Sequence, residues 1–251
     1  MNTGWTIFID FDGTMTRSIS AWKKYHEYFD TLVGMRANSK LFHESGNMGV
    51  NEWAEMDSGL WKGEKFPMPV HPDIDFVMLD NLDRLADIKI KWNIKLFVVS
   101  GSIHQLIENS LARTSSQFNR WTDWRLMEGM SEAQPLIDGI YAHHLKFDED
   151  YRIEGIDYGE DDEWKFTSKR QMIDRLMTDR PDVNLTKIIA VGNGSNDIGM
   201  FKLVKENKGH TIAVNPRNPK LTELADQVVY TNDFIDVVKA IDGFLLSQEQ
   251  F

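Results

Sequence analysis

Short apolar runs alternate along the chain with stretches of helical periodicity, a pattern typical of an α/β protein with a mostly parallel sheet. The runs are apolar on both faces and rich in β-branched and aromatic residues, as expected of central strands covered by helices. The pattern predicts strands over 5–10, 94–100, 187–192 and 210–214, a weaker edge strand over 227–230, and helices over 73–92, 103–113, 169–178, 196–205 and 233–246. The predicted fold is therefore a Rossmann-like, mostly parallel sheet flanked by helices.

Two segments interrupt this alternation. The first, 17–72, is rich in Trp, Met and charged residues, shows helical periodicity and closes with Pro67, Pro69 and Pro72. We interpret it as a small helical cap that ends in a stiff linker and is inserted into a core formed by residues 1–16 and 73–251. The second contains PLIDGIYAHHLKF, which predicts a hairpin turning at Asp138-Gly139, with His143 and His144 on its surface and an acidic loop over 157–163 after it.

Composition narrows the classes of function. The 251 residues are 41% hydrophobic and 27% charged, which suffices for a well-formed core. The formal net charge is −11, so the surface repels polyphosphate and nonspecific binding to nucleic acid is not expected. No apolar run is long enough to span a bilayer, and the absence of cysteine excludes thiolate zinc sites and a cysteine nucleophile. We expect a cytoplasmic protein without a nucleic-acid or membrane partner.

The candidate chemistry begins at IFIDFDGTMT, where the first predicted strand runs into Asp10 and Asp12. Their i, i+2 spacing points both carboxylates toward the same side, while Gly13 lets the backbone turn close to a ligand. Two like charges at the carboxyl end of a strand need a cation or a proton to compensate them. Open α/β sheets bind ligands at that end, and carboxylate and carbonyl oxygens suit Mg²⁺. Taken alone, the segment is equally explained as an acidic turn after a strand.

Three further segments place suitable groups after a strand or at the start of a helix. VVSGS presents the Ser100 hydroxyl, the Gly101 amide and the amide after it for binding phosphate at a helix N-terminus. TSKRQ puts Lys169 in the first turn of a helix, where a cation is unfavourable for the helix dipole unless it offsets an anion. Each segment alone is also explained by an ordinary capped turn or a surface lysine. GNGSND adds three candidate oxygen ligands, Asn193, Asn196 and Asp197.

Other phosphate-binding and metal-binding classes fit less well. In GNGSND, Asp197 takes the place of the third glycine of a dinucleotide-binding fingerprint and would face a pyrophosphate. The chain has no GxxxxGK[ST] segment, which excludes a P-loop kinase, and the acidic segment after the first strand lacks the later ligands of a calcium loop. The seven histidines show no metal-ligand spacing.

Taken in order, the four segments resemble the motifs of the haloacid dehalogenase-like superfamily of phosphohydrolases. DFDGTMT resembles the first motif, VVSGS the second, Lys169 the third (with Lys165 as the alternative) and GNGSND the fourth. The similarity spans about 7–197, and 210–235 resembles the last units of the core. The helical insertion after the first motif and the LIDG segment resemble the phosphoserine phosphatase-like branch of this superfamily.

The resemblance implies Mg²⁺-dependent hydrolysis of a small phosphomonoester. Asp10 would be the nucleophile that forms an aspartyl-phosphate, and Asp12 would be the general acid and then the general base. Ser100, Gly101 and Lys169 would bind the phosphoryl oxygens of the substrate. The metal would be held by groups of the first and fourth motifs, namely Asp10, Asp12, Asn193 and Asp197.

Two positions depart from the family pattern. The fourth motif usually begins Gly-Asp, whereas this chain has Gly192-Asn193, which removes one negative charge from the metal site and predicts weaker metal binding. The glutamate that binds the substrate amine in phosphoserine phosphatases is replaced by Ile19, so phosphoserine is disfavoured, and Arg17 is a candidate for binding an acidic group of the substrate. Aromatic residues of the cap either cover the leaving group or, as we favour, form the core of the cap. They are Trp22, Tyr25, Trp53 and Trp61.

Two classes of function remain open. The favoured hypothesis is a phosphatase that acts on a small phosphorylated metabolite. The alternative is a binding or regulatory protein that keeps the fold and has weak or no turnover, as Asn193 in the fourth motif would suggest. The intact pair of Asp10 and Asp12 argues for the enzyme, because idle paired carboxylates are costly. A phosphotransferase on the same scaffold is a third possibility, which only assays with an acceptor address.

Overall fold

Seven strands form one sheet in the computed structural model, which describes residues 4–17, 20–45, 49–67, 76–118, 136–160, 162 and 164–249. In chain order the strands are β1 (Thr6–Ile9), β2 (Lys95–Ile103), β3 (Gly139–Phe147), β4 (Ile153–Asp157), β5 (Ile188–Gly192), β6 (His210–Val214) and β7 (Gln227–Val229). They lie in the order β4-β3-β2-β1-β5-β6-β7. All neighbouring pairs are parallel except β3 and β4, which are antiparallel.

The first strand occupies the centre of the sheet. Phe8 lies opposite Phe97 of β2 on one side and Ala190 of β5 on the other. Successive side chains of a strand point to opposite faces, so Ile7 and Ile9 enter one apolar cluster and Phe8 enters the other. Both faces are therefore buried, as the uninterrupted apolar runs of the sequence predict.

Helices cover both faces of the sheet and confirm the predicted α/β class. They are α1 (Ala21–Tyr28), α2 (Leu32–Ser45), α3 (Val50–Gly59), α4 (Leu85–Trp92), α5 (His104–Phe118), α6 (Lys169–Asp179), α7 (Ile198–Glu206), α8 (Pro219–Leu224) and α9 (Ile235–Gln248). Short 3-10 turns over Leu82–Arg84 and Ser195–Asp197 precede α4 and α7. Within the described part of the chain, no helix is long and apolar enough to cross a membrane.

The helices α1, α2 and α3 fill the insertion that follows β1. After α3 the chain runs beside β4, where Gly63 N donates to Ile153 O at 2.8 Å and Ile153 N donates to Glu64 O at 2.9 Å. The chain enters and leaves the insertion side by side, because Thr16 forms an antiparallel bridge with Met78. Pro69 and Pro72, assigned to the linker, lie outside the described residues. The predicted bounds of the cap, 17–72, stay a prediction.

Two of the predicted elements are wrong in detail. The helix predicted over 73–92 begins late, since the first described helical turn starts at Leu82, directly after Asn81 in the left-handed region with φ of +58°. The hairpin does not turn at Asp138-Gly139, because the Asp138 carboxylate accepts hydrogen bonds from Lys89 Nζ at 2.6 Å and from Leu96 N at 2.7 Å. These bonds hold the segment beside β2, so that Gly139 begins β3.

The true turn of this hairpin lies between β3 and β4. The Asp148 side chain accepts hydrogen bonds from the backbone N–H groups of Asp150 at 2.9 Å and Arg152 at 2.8 Å. Tyr151 has φ of +60°, which closes the turn. As a result His143 is not on a hairpin surface as predicted: it lies in the interior of the sheet and is 1% exposed.

Candidate active site

Asp10 stands directly after β1, with its side chain buried. Its backbone N–H donates to Val191 O of β5 at 2.9 Å, which continues the parallel pairing to the end of the strand. Beyond it the chain turns sharply, because the N–H groups of the next residues, Thr14 and Met15, reach back to Phe11 O at 3.2 and 3.0 Å. The turn brings the Thr14 hydroxyl to Asp10 Oδ2, at 3.3 Å. The central strand and the turn thus fix the orientation of the Asp10 carboxylate.

Lys169 begins α6 and points into the same site. Ser168 caps this helix, as its hydroxyl accepts a hydrogen bond from Gln171 N at 3.3 Å. The Lys169 side chain is 2% exposed and its ammonium contacts Asp10 Oδ1 and Asp197 Oδ1. The alternative, Lys165, is exposed, lies over the ring of Tyr158 and pairs with Asp162 at 3.4 Å. Of the two lysines, Lys169 is therefore the one that contacts Asp10 and Asp197.

Asp197 serves to shape the loop after β5. Its Oδ2 accepts hydrogen bonds from Asn193 N and Gly194 N, both at 2.8 Å, while Oδ1 receives the Lys169 ammonium. Both carboxylate oxygens are thus engaged within the protein. Gly192 is required here because a Cβ atom at this position would lie 2.5 Å from the carboxyl carbon of Asp197.

Replacing Gly192 with alanine is therefore expected to damage the site. The added methyl group must displace Asp197, which weakens its bonds to the loop and to Lys169 and costs about 1–3 kcal/mol of unfolding free energy, as overpacking does. Gly243→Ala in α9 is the matched control, since a Cβ atom there has no neighbour within 4 Å. Chemical denaturation of both variants measures the effect, and equal stability of the two would contradict this account of Gly192.

Asn193 lies against the turn of the first motif. A Cβ atom on Gly13 would lie 2.1 Å from Asn193 Nδ2, and the φ of Gly13 is +73°, so only glycine fits there. Asn193 is itself buried and faces the loop that carries Asp10 and Asp12. The close approach shows that the first and fourth motifs meet, as their positions after neighbouring strands predict.

The second motif also reaches the site, although by a different local structure from the predicted one. Ser100, Gly101 and Ser102 belong to β2, and α5 begins only at His104, so they do not form a helix N-terminus. Ser102 N donates to the Ser100 hydroxyl oxygen at 3.2 Å. This bond leaves the hydroxyl proton of Ser100 free to point to a ligand, whereas the Ser102 amide is already used.

The electrostatics of the site show an excess of negative charge. Burial, followed by the nearby charge of Asp197, raises the pKa of Asp10 to about 6 in spite of Lys169. Burial and then the charge of Asp10 raise the pKa of Asp12 to about 7, although the N–H of Ala21 and the hydroxyl of Ser102 act in the opposite direction. Burial alone would lower the pKa of Lys169, but the two carboxylates outweigh it and leave that pKa raised. A single ammonium therefore does not compensate three buried carboxylates.

A divalent cation fits this donor set through mixed oxygen ligands. Among the described residues no group of three or more His, Asp or Glu side chains is arranged to hold a metal ion. The Asp197 carboxylate already accepts three bonds, two of them from backbone N–H groups, whereas Asp10 accepts two; the Asp12 carboxyl lies near Ala21 and Ser102. The Asp10 carboxylate, the Asp12 main-chain carbonyl and the Asn193 amide oxygen remain as candidates, and the uncompensated charge gives a cation a physical reason to bind.

The aromatic residues of the insertion form its core, as we favoured from the sequence. Trp22 lies 5.3 Å from the ring centres of both Trp53 and Trp61, and Tyr25 lies 5.6 Å from that of Trp61. Arg17 is held by Asp80 at 2.6 Å, which leaves its guanidinium engaged at the start of the insertion. Ile19 lies outside the described residues.

Two contacts of the site were missed by sequence reasoning. Trp22 Nε1 donates to Gly101 O at 2.8 Å, which joins α1 to the second motif, and Ala21 N interacts with the carboxyl of Asp12. Both are made by the first turn of α1, which follows the Ser20 cap. A serine cap followed by a tryptophan marks the start of the helix in the sequence, but nothing local indicates that this turn lies against Gly101 and Asp12.

Comparison with known proteins agrees with this geometry. Residues 164–241 match the family model described as haloacid dehalogenase-like hydrolase. A search of curated proteins finds no match.

Several solved structures are similar in fold. A haloacid dehalogenase family hydrolase from Salmonella enterica serovar Typhi has a TM-score of 0.62 and 15% identity, over 89% of this chain and 66% of that one. A substrate-bound phosphoserine phosphatase has a TM-score of 0.61 and 16% identity, over 94% of this chain and 98% of that one. A phosphoserine phosphohydrolase-like protein from Francisella tularensis has a TM-score of 0.60 and 16% identity, over 94% and 99% of the two chains. The family model covers the third and fourth motifs, and these structures show that the chain has the haloacid dehalogenase-like fold, in the form also found in phosphoserine phosphatases.

Proposed function

We propose that the protein is a Mg²⁺-dependent phosphatase that hydrolyses a small phosphomonoester through an aspartyl-phosphate. The observation that carries this proposal is the pairing of Asp10 with Lys169 at the carboxyl end of the central strand, beside a second carboxyl group of raised pKa on Asp12. A hydrolase family model and phosphatase structures of the same fold support it.

In the first step Asp10 attacks the phosphorus atom. A bond forms between its carboxylate oxygen and phosphorus while the bond from phosphorus to the leaving oxygen breaks. Lys169 and the Ser100 hydroxyl bind the phosphoryl oxygens, and Lys169 also reduces the repulsion between Asp10 and the incoming anion. Asp12 gives its proton to the leaving oxygen, a role that suits a carboxyl group with a pKa of about 7 because part of it is protonated at neutral pH.

In the second step the aspartyl-phosphate is hydrolysed. Asp12, now ionised, takes a proton from water, whose oxygen attacks phosphorus and releases Asp10. The Ala21 N–H and the Ser102 hydroxyl favour the ionised form of Asp12, which is the form present between the two steps. Asp10, the Asp12 carbonyl and Asn193 would hold Mg²⁺, which would supply positive charge to the phosphoryl oxygens.

Asn193→Asp is expected to tighten Mg²⁺ binding roughly tenfold, because a carboxylate replaces a neutral amide among the ligands. Isothermal titration of the substrate-free protein with Mg²⁺ measures this directly. Asn196→Asp, which adds the same charge to an exposed position of the same loop, is the matched control and should have a much smaller effect. An unchanged affinity in Asn193→Asp would show that Asn193 is not a metal ligand.

The proposed activity is tested by phosphate release from phenyl phosphate and from a panel of phosphorylated metabolites, with Mg²⁺ and with chelator. We expect hydrolysis that requires the metal, and little activity on phosphoserine because Ile19 replaces the amine-binding glutamate. Complete inactivity across the panel with Mg²⁺ present would favour a binding protein instead.

A further inference from the structure

His143 is a buried side chain whose hydrogen-bonding capacity is unused. It is 1% exposed, and neither Nδ1 nor Nε2 has a hydrogen-bond partner among the described residues. A buried polar group without a partner costs about 1–3 kcal/mol, so natural proteins keep few of them without a reason. A ligand that forms hydrogen bonds to the ring would remove this cost.

The position of His143 places it beside the groups that handle the leaving oxygen. In the sheet it pairs with Ile103, three residues beyond Ser100 on β2. Its ring meets that of Trp22 edge-on, with the centres 6.1 Å apart and the planes at 72°. Trp22 in turn is bound to Gly101 O at 2.8 Å and follows Ala21, whose N–H contacts the Asp12 carboxyl. Trp22 therefore contacts both His143 and the proposed phosphate-binding loop, and the residue before it adjoins the proposed general acid.

The other histidines of this region stack on aromatic rings, whereas His143 meets a ring only edge-on. The rings of His104 and His144 stack on each other at 4.2 Å, and His144 also packs on Trp164 at 4.8 Å. In each of these two rings one nitrogen is both buried and without a hydrogen bond, whereas in His143 both nitrogens are. His144 is thus a natural control for His143, adjacent in sequence but engaged in ring stacking.

The chemistry of His143 at neutral pH is that of an uncharged ring. Burial, and then the neighbouring His144, lower its pKa to about 4. A neutral imidazole offers one N–H donor and one nitrogen acceptor, which together match a hydroxyl group, whereas an ammonium or a carboxylate would be left with an uncompensated charge. The aromatic neighbour Trp22 favours an uncharged group for the same reason.

We propose that His143 is a specificity-determining residue that binds a hydroxyl group of an uncharged leaving group, so that the substrates are phosphomonoesters of neutral hydroxylated molecules. This inference rests on the proposed phosphatase function. In this proposal the ring nitrogens of His143 bind the leaving group, which the phosphate-binding residues do not contact.

The test compares glycerol 2-phosphate, whose leaving group carries hydroxyls, with phenyl phosphate, whose leaving group has none. In His143→Phe the ratio of kcat/KM for glycerol 2-phosphate to that for phenyl phosphate should fall at least about tenfold, because the ring can no longer form hydrogen bonds. His143→Gln should recover part of the ratio through its amide. His144→Phe should keep the parent ratio.

An unchanged ratio in His143→Phe, or a parent enzyme that hydrolyses phenyl phosphate but not glycerol 2-phosphate, contradicts this inference and leaves the phosphatase function standing. A parent enzyme that hydrolyses neither ester overturns the function itself. A second measurement does not depend on turnover or on the folding of His143→Phe. In Asp10→Asn labelled with ¹⁵N-histidine, saturating glycerol 2-phosphate with Mg²⁺ should shift the imidazole nitrogens of His143, and phenyl phosphate should not. Unchanged resonances at saturation would also reject the inference.

Discussion

Asp10→Asn is expected to lower kcat/KM for phosphate esters at least about 10⁴-fold and to leave the protein folded. The amide cannot form the covalent bond to phosphorus, so both chemical steps are lost together. The substitution keeps the shape of the side chain and removes one of the buried charges that face each other in the site, so we expect no loss of stability. Phosphate release and chemical denaturation of the same preparation measure the two quantities.

Asp80→Asn is the matched control for this variant. It makes the same chemical change at an exposed carboxylate that pairs with Arg17 at 2.6 Å, on the surface of the molecule. We expect its kcat/KM to stay within about twofold of the parent, since surface ion pairs contribute little.

The parent enzyme, quenched with acid during turnover of a phosphate ester, should carry a covalent phosphoryl group that is absent from Asp10→Asn. Full activity of Asp10→Asn would mean that another residue attacks phosphorus.

Asp57→Ala is expected to lower the free energy of unfolding by about 3–5 kcal/mol, because it leaves buried polar groups without their partner. Asp57 of α3 faces His26 Nε2 of α1 at 3.2 Å, with both side chains inaccessible to solvent. Its other oxygen accepts a hydrogen bond from Asn38 Nδ2 of α2 at 2.8 Å. One carboxylate therefore joins all three helices of the insertion. Urea denaturation followed by tryptophan fluorescence reports this loss.

The fluorescence reports on the same network. Trp61 Nε1 donates to Thr31 Oγ1 at 3.2 Å, and this hydroxyl lies 2.8 Å from His26 Nδ1. Asp80→Ala is the control, as it removes an exposed ion pair and should cost less than about 1 kcal/mol. A similar small cost for Asp57→Ala would show that the three helices are held together by their apolar contacts alone.

The strands could be predicted from the sequence because their apolar runs are buried on both faces. The strand over 210–214 is found as predicted, β1 is shorter than predicted by one residue at each end, and β5 is shorter by one residue at its start. The edge strand β7 is also where the weaker run over 227–230 indicates. The predicted start of the helix over 73–92 was wrong, because an apolar pattern does not reveal the left-handed backbone conformation of Asn81. The prediction of a turn at Asp138-Gly139 was wrong because Lys89, which is distant in sequence, binds the Asp138 carboxylate.

The candidate site shows the same division between local and distant information. Asp10 and Asn193 follow parallel strands, which bring their carboxyl ends to one edge, so these two could be placed together in advance, whereas Lys169 begins a helix and was joined to them only through the family resemblance. The use of both Asp197 oxygens by backbone amides and by Lys169 could not, because it depends on the detailed path of one loop. Neither could the approach of Trp22 to Gly101, which joins residues far apart in the chain.

The central position of β1 has a consequence for local opening of the molecule. Its backbone groups bond to strands on both sides, and three strands lie on each side of it in the sheet. Counting outward, these are β2, β3 and β4 on one side and β5, β6 and β7 on the other. Hydrogen exchange at β1 therefore requires opening of the whole sheet, whereas the helices after it can fray alone. The residue proposed as nucleophile is thus attached to the segment that unfolds last.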